Sequence, residues 1–172
     1  MDFNLIASSP RNREREAALE LISLLREFGD DSPSVRRTEV SGLMVVKSKV
    51  DPFSFISFVK EKVRNEPWAV MNVMKLVPVE VVVDTDVGSI SEAVKRLSGK
   101  IGEGESFRIT LRKRHTSISS RDVIDAAAGV IDRKVDLEHP DRVVLIEIIG
   151  GLTGVSVIRP EDEFSLVREK RG

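Results

Sequence analysis

The chain has 172 residues, of which 41% are hydrophobic and 32% charged, a composition that excludes collagen-like and disordered classes and is typical of a soluble globular protein of one or two domains. Its 27 Lys and Arg residues nearly balance its 28 Asp and Glu residues, so a surface for nucleic acid would have to come from a local concentration of charge. The absence of cysteine excludes disulfides, thiolate nucleophiles and thiolate metal sites, and it fits the reducing cytoplasm in which we expect the protein.

The first half of the chain predicts the element order β-α-β-β-α-β. One helix is predicted over 14–28 from its stripe of apolar residues, and a second over 51–65, with Asp51 as its N-cap. Four strands are predicted at 3–7, 34–39, 43–49 and 68–76, the middle two as a hairpin. This order is that of a ferredoxin-like domain, which we expect over residues 1–78.

The second half predicts a further α/β domain over residues 79–172. A strand at 79–83 precedes a helix that the spacing of Ser89 and Glu92 predicts to open with a capping box. Residues 107–114 alternate apolar and polar side chains, as in a half-buried strand. A helix is predicted from Ser119 to 131, with an inward face formed by Ile124, Ala127, Ala128 and Ile131. Strands at 143–149 and 155–159 are joined at Gly150 and Gly151, at least one of which needs a positive φ, and a short helix follows Pro160.

The sequence offers little for catalysis. Its two histidines, His115 and His139, are not in metal-binding spacing. The glycine-rich segments 99–104 and 149–154 match neither the P-loop pattern nor the dinucleotide-binding pattern G-x-G-x-x-G. The sequence therefore predicts no binding site for ATP, S-adenosylmethionine or NAD. The carboxylates of 136–141 could hold a hard cation, although a capped turn explains them better. We therefore predict no catalytic residue, no cofactor and no metal.

One segment, FRITLRKRHTSISSR at 107–121, is strongly basic and contains no acid. Because side chains alternate between the two faces of a strand, Arg108, Arg112 and Arg114 are predicted to lie on one face. Hydroxyl groups and the backbone N–H groups of a helix start follow, and phosphate binds well to such groups. The alternative is a solvated strand face whose arginines meet acids elsewhere on the chain, in which case RNA would be sought near Arg11, Arg13 and Arg15 or near Lys134 and Arg159. The candidate RNA-binding residues are Arg108, Arg112, Lys113, Arg114, His115, Ser117, Arg121, Lys134 and Arg159.

Three segments together, RKRHTSISSRDVIDAAAGVI, KVDLEHPDRVVLIEII and GVSVIRPEDEFSL, resemble the THUMP domain over roughly the last 95 residues. The stretch from KVDLEHP to VIRP is the most specific part. Among THUMP proteins the chain is most similar to the free-standing adaptors of the tRNA cytidine acetyltransferase. The resemblance implies a ferredoxin-like domain before THUMP, recognition of the acceptor end of tRNA by both domains, and catalysis by another polypeptide.

We therefore expect a non-catalytic tRNA-binding adaptor that presents tRNA to an acetyltransferase forming N4-acetylcytidine, with no membrane and no metal involved. The chain leaves no room beside the two domains for the ATP- or S-adenosylmethionine-binding folds of THUMP-containing thiouridine synthases and methyltransferases. Two alternatives stay open. One is the RNA-binding subunit of a split thiolation or methylation enzyme, and the other is a protein-interaction module with no RNA role.

Overall fold

The computed structural model describes residues 2–171, which divide into two compact units. The first unit contains the residues up to 79 together with those from 161 onward, and the second contains residues 80–160. No helix among the described residues combines the length and the apolar character that crossing a bilayer requires.

Ten strands and five helices follow one another along the described chain. In order, they are β1 Leu5–Ser8, α1 Glu14–Phe28, β2 Ser34–Arg37, β3 Leu43–Lys47, α2 Pro52–Asn65, β4 Lys75–Pro78, β5 Val81–Asp84, α3 Val87–Leu97, β6 Ser106–Arg114, α4 Ser120–Gly129, β7 Lys134–Val135, β8 Arg142–Ile149, β9 Leu152–Ile158, β10 Phe164–Ser165 and α5 Leu166–Lys170.

The first unit is an antiparallel sheet with α1 and α2 packed on one face. Its strands lie in the order β10-β4-β1-β3-β2. The predicted bounds of α1 are confirmed, and the helix ends at Gly29, whose φ of 129° few other residues tolerate. Asp51 caps α2 as predicted, because its Oδ2 accepts the Ser54 N–H at 2.9 Å. The core lies between these helices and the sheet residues Leu5, Ala7, Met44, Val46 and Leu76.

The second unit is a mixed sheet with strand order β5-β9-β8-β6-β7. Strand β6 pairs in parallel with β7 and β8, whereas β9 pairs antiparallel with β8 and β5. Helix α4 makes the crossover that a parallel pair requires, and α3 packs beside it. The predicted alternation of β6 is confirmed, because Phe107 is buried in the core beneath these two helices and Ile109 and Leu111 pack against that core.

Three local predictions are wrong. The strand predicted over 68–76 is shorter, because a 3-10 turn at Pro67–Ala69 comes first and β4 begins only at Lys75. Helix α3 begins earlier than the capping box suggested, since the Asp86 carboxylate accepts the Ser89 N–H at 2.7 Å. Ile124 and Ala128 are exposed rather than inward-facing, because the buried stripe of α4 runs through Val123 and Ala127.

The C-terminal segment belongs to the first unit, not to the second domain as predicted. Phe164 pairs with Leu76 of β4, and the Leu166 N–H donates to the Met74 carbonyl at 2.8 Å. Both side chains are buried in the first core. The pairing connects residues about 90 positions apart, and no local pattern in the sequence reports such a contact.

Candidate nucleic-acid interface

The carboxyl ends of three strands meet at one edge of the second sheet. Strands β5, β6 and β8 run in the same direction, since β9 is antiparallel to both β5 and β8 and β6 is parallel to β8. The helices that follow β5 and β6 therefore begin at this edge. In open sheets with parallel strands, ligands bind at this end, where helix N-termini and connecting loops converge. We refer to residues 113–121 at this edge as the basic rim.

The basic rim exposes three positive or titratable side chains, those of Lys113, His115 and Arg121. Lys113 Nζ donates to the Ile118 carbonyl at 2.9 Å, a neutral partner that leaves the charge uncompensated. Arg121 is 90% exposed and its contact with Asp125 is a long 3.8 Å, so the pair contributes little and exchanges readily. These cations are available to an anion in solvent.

The rim is held in place by backbone geometry and capping. His115 turns the chain out of β6 with a φ of 54°, a left-handed conformation that is uncommon for a residue other than glycine. Ser119 caps α4 as predicted, because its Oγ accepts the Asp122 N–H at 3.2 Å. Ser117 lies exposed between these two points. The first turn of α4 thus directs its N–H groups and positive dipole end toward the rim.

Arg112 and Arg114 share one buried carboxylate, that of Glu147. Their guanidinium groups lie 2.6 and 2.8 Å from its two oxygens, and the register places Arg112 directly opposite Glu147 on β8. Glu147 is only 1% exposed, whereas the Arg112 and Arg114 side chains are 40% and 24% exposed. The three groups together carry one net positive charge. Arg112 and Arg114 thus make the contacts that the alternative interpretation predicts, in which strand arginines pair with an acid elsewhere on the chain.

Sequence reasoning missed Glu147, although a signal for it existed. It is the one charged residue within VVLIEII, a run apolar enough to predict a strand covered on both faces. A carboxylate at such a position has to be paired, and the basic strand was the obvious source of partners.

The remaining candidates lie at the opposite end of β6. Lys134 opens β7, which pairs with Ser106 and Phe107, and Arg108 donates to the Leu137 carbonyl at 3.1 Å. Arg159 follows β9 and lies 3.7 Å from Glu105. Since a strand rises roughly 3.3 Å per residue, the two ends of β6 are about 26 Å apart. The predicted residues therefore form two groups, and only the group from 112 to 121 lies near the carboxyl edge.

The acidic segment at 136–141 forms the capped turn that was preferred from the sequence. Asp136 accepts the backbone N–H groups of Glu138 and His139 at 3.2 and 3.0 Å. The His139 N–H is the main reason why the pKa of Asp136 lies below its ordinary value. Among residues 2–171, no three Asp, Glu or His side chains come close enough together to hold a metal ion.

The THUMP domain family model matches residues 84–158, nearly the whole of the second unit. The second unit is a THUMP domain. This finding confirms the domain that the sequence resembled, although the match itself carries no information on an acetyltransferase adaptor.

Related proteins are longer than this chain. An uncharacterized protein of Methanocaldococcus jannaschii is 25% identical over 157 residues, which are 88% of this chain and 41% of that protein. The crystal structure of a Pyrococcus horikoshii protein superposes with a TM-score of 0.66 at 17% identity, covering 90% of this chain and 54% of that one. This chain thus spans about half the length of these relatives.

Two further solved structures are similar to this chain. TrmN from Thermus thermophilus has a TM-score of 0.60 at 18% identity, over 95% of this chain and 47% of TrmN. A 4-thiouridine synthetase solved with RNA and ATP has a TM-score of 0.56 at 14% identity, over 95% of this chain and 42% of the synthetase. At these identities, the similarity establishes a shared fold.

Proposed function

We propose that this chain binds tRNA and acts as a non-catalytic adaptor that presents it to an acetyltransferase forming N4-acetylcytidine. The observation that carries the RNA-binding part is the basic rim of the THUMP domain, where Lys113, His115 and Arg121 are exposed beside the N-terminus of α4. Phosphates are the natural ligands of such a surface, because exposed cations and helix N–H groups both stabilise them.

Two acids lie next to the rim, Asp122 and Asp125 in the first turns of α4, and the other acids at the same edge are more distant. Asp84 and Asp86 lie at the end of β5 and the start of α3, three strand spacings from β6, or about 14 Å. This distance exceeds the screening length of roughly 8 Å at physiological ionic strength. Asp86 is in addition engaged as the N-cap of α3. Lys113, Arg121 and the single net charge of the trio outnumber Asp122 and Asp125 by one, so the rim keeps a net positive charge, although the net charge of the chain is −1.

Arg112 and Arg114 have a supporting role in this proposal. Their shared bond to Glu147 fixes both guanidinium groups, and the single net charge of the trio lies at the β6 end of the rim, where Arg114 belongs to it. A prepositioned guanidinium loses little conformational freedom when a phosphate arrives, so the trio strengthens the rim without supplying its outermost contacts.

We assign the first unit to the ferredoxin-like class and propose that it also contacts the acceptor end of tRNA. The assignment is supported by its element order and by the strand order β4-β1-β3-β2, with both helices on one face. The non-catalytic role is supported by the sequence, in which neither glycine-rich segment matches a nucleotide-binding loop.

The direct test is a gel shift of the full chain with deacylated tRNA. We expect a complex at moderate salt that weakens steeply as salt increases, as phosphate contacts require. No complex even at low salt would refute the RNA-binding role and leave a protein-interaction module.

The adaptor role is tested by nucleoside analysis. Acetyltransferase, acetyl-coenzyme A and tRNA are incubated with and without the chain, and N4-acetylcytidine is measured. We expect the product to increase when the chain is present and none to form when the enzyme is left out. Product formed by the chain alone would show that it is an enzyme.

A second candidate is the RNA-binding part of a tRNA methylation or thiolation enzyme. It is favoured by the similar structures, since this chain covers 42% of a 4-thiouridine synthetase and 47% of TrmN. The same nucleoside analysis distinguishes the two, because a methylated or thiolated product would replace N4-acetylcytidine when the corresponding partner is supplied.

A further inference from the structure

Trp68 is the only tryptophan of the chain, which has no tyrosine, and its side chain is 72% exposed. It lies in the 3-10 turn Pro67–Ala69 of the first unit, far along the sequence from the basic rim. Burial of a tryptophan removes more apolar surface from water than burial of any smaller side chain, so a ligand that covers this indole gains more than at any other exposed side chain.

The turn that carries Trp68 is rigidly braced. Val70 and Val73 on its C-terminal side are fully buried in the first core. The Glu20 carboxylate of α1 accepts three successive backbone N–H groups, those of residues 71–73, at 2.9 to 3.0 Å. Since these contacts fix the backbone next to the indole, the fold itself keeps the indole exposed. Binding of a ligand would therefore require little reordering of this turn.

Exposed cations lie on the segment that meets the C-terminal end of the loop carrying Trp68. Lys75 pairs with Ser8, and the Met74 N–H donates to the Ser8 carbonyl at 2.8 Å, so the segment that follows β1 lies next to the loop bearing Trp68. That segment contains Arg11, Arg13 and Arg15, and all three are exposed, as is Lys75.

Two acids of this region, Glu14 and Glu20, are already engaged within the fold. Glu14 is turned inward, where it accepts the Gly42 N–H at 3.0 Å and its side chain is 8% exposed. Glu20 is occupied by residues 71–73. Glu66, next to Pro67, has only a long 3.9 Å contact with Lys62 Nζ and stays half exposed. The charge that residues 11–15 present to solvent is therefore positive.

We propose that Trp68 is a stacking platform for an unpaired base of bound RNA, with Arg11, Arg13, Arg15 and Lys75 contacting the adjoining phosphates. An aromatic face flanked by cations is the combination with which proteins bind single-stranded nucleotides. The exposed apolar neighbours Met71 and Leu19 are too few for a stable protein interface, which needs roughly 800 Å² on each partner. The inference rests on the proposed tRNA-binding function and adds the class of ligand for the first unit.

The composition of the chain makes the test specific, because intrinsic fluorescence reports on Trp68 alone. The full chain is titrated with deacylated tRNA while the complex is followed in parallel by gel shift. We expect bound tRNA to quench the tryptophan emission and to protect the indole from acrylamide. The quenching should saturate at the tRNA concentration that saturates the gel shift.

Variants of the same loop provide the controls. Trp68→Ala should bind tRNA roughly 5- to 150-fold more weakly, the range that alanine substitution of a stacking aromatic gives, with an unchanged salt slope because no cation is removed. Trp68→Phe should retain most of the affinity. Met71→Ala, at a position 67% exposed on the same loop, should bind like the parent. All three should melt like the parent, since the replaced side chains are exposed.

The outcomes separate this inference from the proposed function. A parent chain that binds tRNA with no change in emission, together with a Trp68→Ala variant of full affinity, overturns the stacking site and leaves tRNA binding intact. A parent chain that binds no tRNA overturns both. If Trp68→Ala binds tRNA normally but no longer associates with the acetyltransferase, Trp68 is a protein contact and the RNA assignment is wrong.

Discussion

At the scale of single residues, Glu147 gives Arg112 and Arg114 a structural role that their positions on an apparently open strand did not indicate. A carboxylate that is 1% exposed depends on both partners. Arg112→Ala or Arg114→Ala should each cost about 1–3 kcal/mol in the free energy of unfolding, the range for leaving a buried polar group short of a partner. The double variant should cost about 3–5 kcal/mol, as expected for an unpaired buried charge.

Denaturant unfolding measures these costs, with Lys113→Ala as the matched control on the same strand. Lys113 bonds a carbonyl at the surface, so its removal should change stability by no more than about 0.5 kcal/mol. Equal stability for all three single variants would mean that Glu147 is adequately solvated without its arginines. From the sequence alone, we would have expected exposed, freely replaceable arginines.

Asp30 provides a second prediction for one residue, on the dependence of stability on pH. Its buried carboxylate accepts the Ser48 hydroxyl at 2.6 Å and the N–H groups of Ser32 and Lys49 at 3.0 Å. The Ser48 bond is the main cause that lowers the pKa of Asp30 below its ordinary value of 3.8. A lowered pKa contributes stability that is complete above the unfolded value and is lost as the pH falls through the folded value.

Asp30→Asn should therefore be less stable than the parent by about 1–3 kcal/mol at neutral pH, and this difference should shrink below about pH 4. Thermal melts over that pH range measure it. Asp31→Asn, at the exposed neighbouring position, is the control and should follow the parent throughout. A constant gap between Asp30→Asn and the parent at every pH would contradict the role of the ionised carboxylate.

At the scale of elements, the two adjacent glycines in the turn between β8 and β9 differ in their backbone conformation. Gly150 has a φ of 59°, as predicted for at least one of the pair, whereas Gly151 has no positive φ and open space around its added Cβ. Gly150→Val should therefore cost about 1–3 kcal/mol, and Gly151→Val should stay within about 0.5 kcal/mol of the parent. Chemical denaturation of the two variants is the measurement. Equal costs would mean that the strain is not confined to Gly150.

Elements with a sustained period were predictable because periodicity is a local property. Helix α1 and strand β6 repeat their apolar residues at the helical and the strand period, and their bounds agree within a residue. The residues after α2 show the limit. Trp68, Val70 and Val73 read as a strand by composition, yet the Glu20 carboxylate binds the N–H groups of 71–73 and holds a turn there. A side chain from the distant helix α1 decided the local conformation.

Two of the three predicted caps are confirmed. Asp51 caps α2 and Ser119 caps α4. At α3, Asp86 and Ser89 competed, and the carboxylate prevailed because it accepts both the N–H and the hydroxyl of Ser89. The spacing of Ser89 and Glu92 could not report this competition.

At the scale of the whole molecule, the C-terminal segment decides what a fragment of the chain can contain. Phe164 and Leu166 are buried in the first core, and β10 pairs with β4. Fragments 80–160 and 79–172 should therefore melt cooperatively at the same midpoint, because the last residues add nothing to the second unit. Calorimetry of both fragments tests this. A lower midpoint for 80–160 would mean that the C-terminal segment stabilises the second unit and belongs to the THUMP domain.

The candidate site was predictable as a region, and less so as a set of contacts. A run of basic residues without acids identified 107–121, because charge along the chain is visible in the sequence. Which of these cations face solvent depends on partners brought by β8, the turn at 115–119 and α4. The distribution of Arg108, Lys134 and Arg159 at the far end of the sheet depends on strand order in the same way.

The most direct test of the account is a tRNA titration at several salt concentrations with two double variants of the full chain. Lys113→Ala with Arg121→Ala removes two rim cations, and Lys95→Ala with Arg96→Ala removes two exposed cations from the last turn of α3, at the other end of the same unit. The net charge changes equally in both. For the rim variant only, we predict weaker binding and a slope of log K against log salt that is flatter by roughly 0.7 to 0.9 for each phosphate that the protein no longer neutralises. Identical slopes and affinities for the two variants would contradict the assignment of the rim as the RNA-binding surface.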